Sequence, residues 1–206
     1  MHRILPVVAV AIAIFCVYNL TKKSGGKNCN GPTIFEDFLS NTECDDLIRA
    51  ATALGLKRST VVKTGVDESR TSSQVFLPPG NVSGTMLKSK VSRFFGVPIT
   101  KMEDVQILRY EPGQQYKPHF DGCDDGCDSG KNLDRTQTIF VYLSDVESGG
   151  ETVFPNAGKR VKPKKGRAVH WFNIEPNTLQ NLECSLHGGT PVKRGQKWAA
   201  NIWIRL

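Results

Sequence analysis

The stretch Leu108-Arg109-Tyr110-Glu111-Pro112-Gly113-Gln114-Gln115-Tyr116-Lys117-Pro118-His119-Phe120-Asp121 marks the point where the character of the chain changes. Upstream of it the apolar residues recur at helical spacing. From Val105 onward they fall into short β-type segments divided by turn residues. Val105–Tyr110 reads as a strand and Glu111-Pro112-Gly113 as a turn. Residues two apart in an extended segment point to the same face, so His119 and Asp121 aim at one point in space.

Downstream, further strands are expected at Thr136–Leu143, Thr152–Phe154, Arg167–Phe172, Glu183–His187 and Trp198–Ile204. Ser148-Gly149-Gly150 and Lys165-Gly166 act as turns between them. Upstream, Ser40 with Glu43 fits a capping box. Leu47, Ile48, Ala51 and Leu54 form an apolar stripe that ends at Gly55. A second helix is expected from about Gly84 to Phe95, burying Met86, Leu87, Val91, Phe94 and Phe95 and stopped by Gly96 and Pro98. Lys57 to Gly80, rich in Ser, Thr, Lys and Arg, reads as either a hairpin or a mobile loop. Helices followed by many short strands indicate an α+β fold with a jelly-roll-like barrel as its body.

The chain has 206 residues, 39% hydrophobic and 23% charged, which suits one globular domain. Residues 1–21 stand apart. Ile4 to Leu20 carries no charge and lies between Arg3 and Lys22-Lys23, so it reads as a signal anchor or a cleaved signal peptide. Membrane anchoring through residues 4–20 follows from the first reading. Residues 22–32 read as a linker and residues 33–206 as the folded domain. The net charge of +7 comes from basic residues scattered along the chain, so no nucleic-acid partner is expected. Of six cysteines, Cys16 lies in the apolar run. Cys123 and Cys127 suggest a local disulfide or free thiols rather than zinc, because no second pair stands at finger spacing. Asn81-Val82-Ser83 is a glycosylation sequon. Together these features favour the secretory pathway, in a setting like the endoplasmic reticulum.

His119 and Asp121 need a third partner to hold a metal. The remaining histidines are His2, beside the apolar run, His170, in an apolar strand, and His187, near a strand end before Gly188-Gly189. Two histidines and one carboxylate can bind an octahedral metal on one face and leave three positions open, as in non-haem Fe(II) oxygenases. The same set can hold catalytic zinc, and His-x-Asp alone can be a surface salt bridge. Lys197, ten residues beyond His187, opens the apolar strand Trp198–Ile204. A cation buried in a barrel needs an anionic partner, and a dicarboxylate chelating a metal at its other end would supply one.

The quoted stretch resembles the prolyl 4-hydroxylase motif. So do Val141-Tyr142-Leu143-Ser144-Asp145-Val146, Gly149-Gly150-Glu151-Thr152-Val153-Phe154-Pro155, Lys164-Lys165-Gly166-Arg167-Ala168, His187-Gly188-Gly189-Thr190-Pro191-Val192 and Gly195-Gln196-Lys197-Trp198. The resemblance runs from about Ile34 to Leu206. It implies a double-stranded β-helix with supporting N-terminal helices. It implies oxidation of peptidyl proline to 4-hydroxyproline, coupled to conversion of 2-oxoglutarate to succinate and CO2 by O2 at Fe(II), with L-ascorbate as reductant. By motif position His119, Asp121 and His187 would be the iron ligands. Lys197 would pair with the far carboxylate of 2-oxoglutarate, and Tyr110, Thr152 and Tyr142 would line the same pocket. Tyr116, Arg135, Trp203 and Arg205 resemble positions that contact a proline-rich peptide, and Arg70-Thr71-Ser72-Ser73 resembles a mobile lid. The insert Cys123-Asp124-Asp125-Gly126-Cys127-Asp128 departs from the pattern. The rival readings are another 2-oxoglutarate oxygenase, such as a nucleic-acid demethylase, and a metal-binding jelly roll acting as a binding module. The sequence shows no stacking and phosphate-tracking groove for the first, and the triad with Lys197 argues against the second.

Overall fold

The computed structural model describes residues 31–60, 68–122 and 135–205. Residues 1–30, with the apolar segment and most of the linker, and the Cys123–Asp128 insert lie outside the described residues. No helix among the described residues is long and apolar enough to cross a membrane.

The first element is a short strand, β1 (Thr33–Phe35), followed by helix α1 (Asn41–Leu54). The helix starts where its capping box requires. The Ser40 hydroxyl accepts from the Glu43 amide at 3.2 Å, and the Glu43 carboxylate accepts from the Ser40 amide at 2.7 Å. Leu47 and Ala51 are fully buried, as the stripe predicts. Lys57 to Gly80 contains a hairpin, formed by β2 (Lys57–Arg58) and β3 (Ser73–Phe76). Helix α2 spans Val82–Phe95 and begins two residues before the expected Gly84. Val82 is 83% exposed and adds nothing to the apolar stripe, so periodicity alone misses it. The start is set instead by Asn81 of the sequon, whose side chain accepts from the Gly84 amide at 3.0 Å.

The body is antiparallel β structure. Its remaining strands are β4 (Gln106–Tyr110), β5 (Tyr116–His119), β6 (Arg135–Tyr142), β7 (Ser148–Gly149), β8 (Thr152–Phe154), β9 (Lys159–Val161), β10 (Ala168–Phe172), β11 (His187–Gly189), β12 (Val192–Arg194) and β13 (Lys197–Arg205). A seven-stranded sheet runs in the order β1-β10-β6-β13-β4-β3-β2, and a four-stranded sheet runs β5-β11-β8-β9. β12 pairs with β7 alone. The expected strand Glu183–His187 is instead a 3-10 turn, Glu183–Ser185, followed by β11. β11 is mostly glycine, which carries no strand signal of its own. Pairing with β5 and β8 makes it a strand.

Both faces of the large sheet are covered, which is why β13 is buried along eight of its nine residues. On one face Ile107, Ile139, Val141, Ala168, Trp198, Ala200, Ile202 and Ile204 pack with Leu47, Ala51, Leu87 and Val91 of the helices. On the other, Leu108, Tyr110, Phe140, Tyr142, Val169, Trp171 and Ala199 pack with Phe154, Val161 and Val192 of the smaller strands. A sheet packed on helices by one face and on a second sheet by the other is the expected jelly-roll body with supporting helices. The period of two places Lys197, Ala199, Asn201, Trp203 and Arg205 on the face toward the small sheet.

Candidate active site

The two histidines of the cluster meet because β5 and β11 pair with His119 directly opposite His187. The strands approach closely at Gly188. A Cβ there would lie 2.9 Å from both Pro118 N and Tyr116 O. β5 ends at His119 and Asp121 sits in the bend that follows, so strand alternation does not place the carboxylate. Gly122 lets the bend turn inward, since a Cβ on it would lie 2.5 Å from Asn181 Oδ1 and 2.6 Å from Ile174 Cγ2.

His119 Nε2 lies 3.5 Å from Asp121 Oδ1, and His187 Nε2 lies 3.5 Å from Asp121 Oδ2. The three ligand atoms lie within 4.8 Å of one another. Each imidazole is oriented from behind in the same way. His119 Nδ1 lies 2.9 Å from Lys117 O, and His187 Nδ1 lies 2.9 Å from Ser185 O. A carbonyl can only accept, so both Nδ1 atoms carry the proton and both Nε2 lone pairs face the common point. Burial pushes the His187 imidazole down to about 4, with Asp121 opposing, so it is neutral at pH 7 as a metal ligand must be. Burial pushes the Asp121 carboxyl up, but His187, His119 and Arg135 outweigh it and hold it well below the usual carboxylate range. This donor set fits a six-coordinate Fe(II) with three open positions.

Lys197 is 2% exposed. Its Nζ stands 5.2, 5.1 and 5.4 Å from the ring centres of Tyr110, Phe140 and Tyr142. Burial drives its ammonium down to about 7, with Glu151 pulling part of the way back. No carboxylate among the described residues forms an ion pair with it. Tyr142 Oη lies 2.7 Å from Thr152 Oγ1 and 3.1 Å from Val161 O, and burial raises its phenol. Tyr110 is 4% exposed and likewise raised by burial. The structure therefore brings Lys197, Tyr110, Tyr142 and Thr152 into one chamber. Gly189, two residues beyond His187, borders it, since a Cβ there would lie 3.7 Å from Lys197 Nζ.

Tyr116 stacks on His119 with ring centres 3.6 Å apart, and the Arg70 guanidinium covers Tyr116 at 4.7 Å. The expected lid residues are hydrogen-bonded to neighbouring segments. Thr71 N donates to Gln115 O and Lys117 N to Ser69 O, while Arg70 donates to Gln106 Oε1 at 3.2 Å. Arg135 lies 3.7 Å over the Trp203 ring, and Glu103 pairs with both Arg135 and Arg205 at 2.6 and 3.0 Å. Trp203 is therefore 4% exposed beneath Arg135 instead of an open aromatic platform. Sequence reasoning did not single out Thr138, Asn173, Trp171 or Phe154. Thr138 donates to Asp121 Oδ2 at 2.8 Å, and the Trp171 ring centre is 4.6 Å from that of His187. A threonine or tryptophan in a strand reads as an ordinary β-former, so no local signal marks either. His170, the other histidine considered, is spent on packing with Phe95 and Phe172 and on Gln137.

Residues 105–205 match the 2OG-Fe(II) oxygenase superfamily. Prolyl 4-hydroxylase 2 of Arabidopsis thaliana is 38% identical over 202 residues, covering 84% of this chain and 66% of its own length. Prolyl 4-hydroxylase 5 of the same plant is 35% identical over 198 residues, covering 84% and 67%. The chain thus spans about two thirds of these plant relatives. The crystal structure of a viral collagen prolyl hydroxylase from Paramecium Bursaria Chlorella virus-1, in complex with 2OG, superposes with a TM-score of 0.70. It is 36% identical and covers 86% of this chain and 97% of that one. A Pseudomonas putida prolyl-4-hydroxylase, 18% identical at a TM-score of 0.63, shares the fold. On these similarities and on the converged His119, Asp121 and His187, the chain belongs to the prolyl 4-hydroxylase family of 2OG-Fe(II) oxygenases.

Proposed function

We propose that this protein hydroxylates peptidyl proline to 4-hydroxyproline in proline-rich peptides, consuming 2-oxoglutarate and O2 and releasing succinate and CO2. One observation carries the reading: the buried, carboxylate-free ammonium of Lys197 lies one strand-length step from the His-Asp-His cluster. His187 and Gly189 are roughly 7 Å apart along β11, a span that suits a five-carbon dicarboxylate. Bound Fe(II) activates O2, and 2-oxoglutarate supplies the remaining two electrons. His119, Asp121 and His187 hold the iron. Lys197 anchors the far carboxylate, and Tyr110, Tyr142 and Thr152 wall it in.

The peptide reaches the iron past Tyr116 and Arg70 on one side and Arg135, Trp203 and Arg205 on the other. Proline lacks an N–H, so a proline-rich segment in polyproline II presents mostly carbonyl acceptors. Guanidinium groups of Arg70, Arg135 and Arg205 are suitable donors. A hollow of about 460 Å³ lined by Phe76, Met102, Glu103 and Arg205, among others, has Arg205 in its wall and suits flanking residues of such a peptide. A lumenal setting accords with the sequon and with the disulfide-bonded state of Cys184. Membrane attachment through residues 4–20 is tested by carbonate extraction.

The activity is tested by loading the full chain with Fe(II) and adding 2-oxoglutarate, ascorbate and a proline-rich peptide in air. Mass spectrometry is expected to find one added oxygen atom on proline and peptide-dependent succinate release. Succinate release with no oxygen on proline would overturn the peptide assignment while leaving the oxygenase family in place.

A further inference from the structure

We infer that Thr138, backed by Asn173, is the positioning device that fixes the rotation of the Asp121 carboxylate toward the metal point. The inference rests on the metal reading of His119, Asp121 and His187. Strand alternation does not orient the Asp121 carboxylate, because the residue lies past the end of β5. Its orientation comes from β6, across the barrel. Thr138 Oγ1 lies 2.8 Å from Asp121 Oδ2 and 3.2 Å from Asn173 Oδ1, while Asn173 Nδ2 donates to Thr138 Oγ1 at 2.9 Å. The hydroxyl has one proton. The carboxylate is nearer and charged, so it takes that proton, and the Asn173 amide fills the oxygen lone pair behind it.

Both residues are fully buried. Thr138 is flanked on its own sheet by Trp171 and Trp203, its direct cross-strand partners, which leaves little room for water to replace the hydroxyl. Asn173 is itself fixed. Its backbone N–H donates to Thr136 O, and its backbone carbonyl accepts from Leu182 N and from Ser185 Oγ at 3.1 Å. Ser185 O is the acceptor that orients His187. One continuous set of bonds thus runs from Asp121 through Thr138, Asn173 and Ser185 to His187, and sets two of the three ligands together.

The consequence is one of ligand orientation. Both carboxylate oxygens stand toward the histidines, Oδ1 3.5 Å from His119 Nε2 and Oδ2 3.5 Å from His187 Nε2, and the bond from Thr138 to Oδ2 holds that rotation. A carboxylate released from Thr138 is free to turn away from it, so the three groups would hold a metal less well.

The test compares Co(II) binding and the visible Co(II) spectrum in the full wild-type chain, Thr138→Val, Thr138→Ser and Asn173→Ala. Melting in EDTA reports folding separately. Thr138→Val keeps the shape and removes the hydroxyl. It is expected to bind Co(II) roughly 10- to 100-fold more weakly, the range for lost partners of metal ligands, with an altered spectrum. Thr138→Ser should return both to within about threefold of wild type, and Asn173→Ala should fall between, as the loss of an outer partner. A Thr138→Val protein with wild-type Co(II) affinity and spectrum overturns the inference. Should that variant fail to fold, the other two decide: Asn173→Ala indistinguishable from wild type, or Thr138→Ser more than about tenfold weaker than wild type, overturns it. A wild-type chain that binds no Co(II) overturns the metal reading beneath it. Failure on peptide substrates alone leaves this inference standing.

Discussion

Replacing Lys197 with Met removes the buried ammonium and keeps a flexible apolar side chain of similar length. The wild-type group falls from its ordinary 10.5 to about 7, with burial as the main cause. A lysine whose folded value is depressed penalises the folded state wherever the unfolded chain holds the proton. The penalty is full below about pH 7, shrinks as the pH rises from 7, and is gone above 10.5. At pH 7 it amounts to about 4 kcal/mol as an upper bound, at roughly 1.4 kcal/mol per pH unit. The co-substrate-free Lys197→Met protein should therefore melt several degrees above wild type at pH 7, and the gap should close toward pH 10. A domain of this size gains about 2–4 °C per kcal/mol. Binding of 2-oxoglutarate should move the opposite way. An anion buried without its cation loses about 3–5 kcal/mol, so the variant should bind on the order of 100-fold more weakly or worse. Wild type should take up about half a proton on binding at pH 7, as an ammonium titrating near 7 becomes fully charged. Calorimetry with Mn(II)-loaded protein in two buffers of different ionisation enthalpy measures both numbers. Metal affinity in the absence of 2-oxoglutarate should be nearly unchanged. A variant that melts below wild type at pH 7 and binds 2-oxoglutarate normally would refute the reasoning.

Three further outcomes follow from the geometry. Glu103 is raised by burial but held below its ordinary value by Arg135 and Arg205; its contribution is present above that ordinary value and lost as pH falls through the folded one. Glu103→Gln should cost about 2–3 kcal/mol in urea unfolding at pH 7, flatten the acid limb of the stability curve and raise the peptide KM more than it lowers kcat. Gly122→Ala forces a methyl against Asn181 and Ile174, so Co(II) affinity should drop at least about tenfold as Asp121 is displaced; unchanged affinity would contradict the placement of that bend. Burial holds His170 at about 4, below its ordinary 6.5, so the protein should lose stability as pH falls from 6.5 toward 4. His170→Gln should remove that part of the slope in urea titrations at both pH values.

Much of this protein is legible from local signals. The Ser40–Glu43 box and the stripe through Leu47 and Ala51 define α1 without help from the rest of the chain, because a helix satisfies its own backbone and its 3.6-residue period is a property of one segment. Ordered motifs around His119, Asp121, His187 and Lys197 name the chemistry, since few uses exist for two histidines, a carboxylate and a buried cation on short strands. The remainder depends on partners distant in sequence. β11 is a strand only because β5 and β8 flank it. Trp203 is closed off only because Arg135 folds over it from another strand. Above all, His-x-Asp spacing suggested that alternation aims the carboxylate, whereas Asp121 lies beyond the strand and is aimed by Thr138 from across the barrel. The sequence by itself determined which groups could hold the metal and the dicarboxylate. Only the tertiary structure decided how the carboxylate is turned, because strand pairing, not residue type, sets which side chain of β6 arrives beside it.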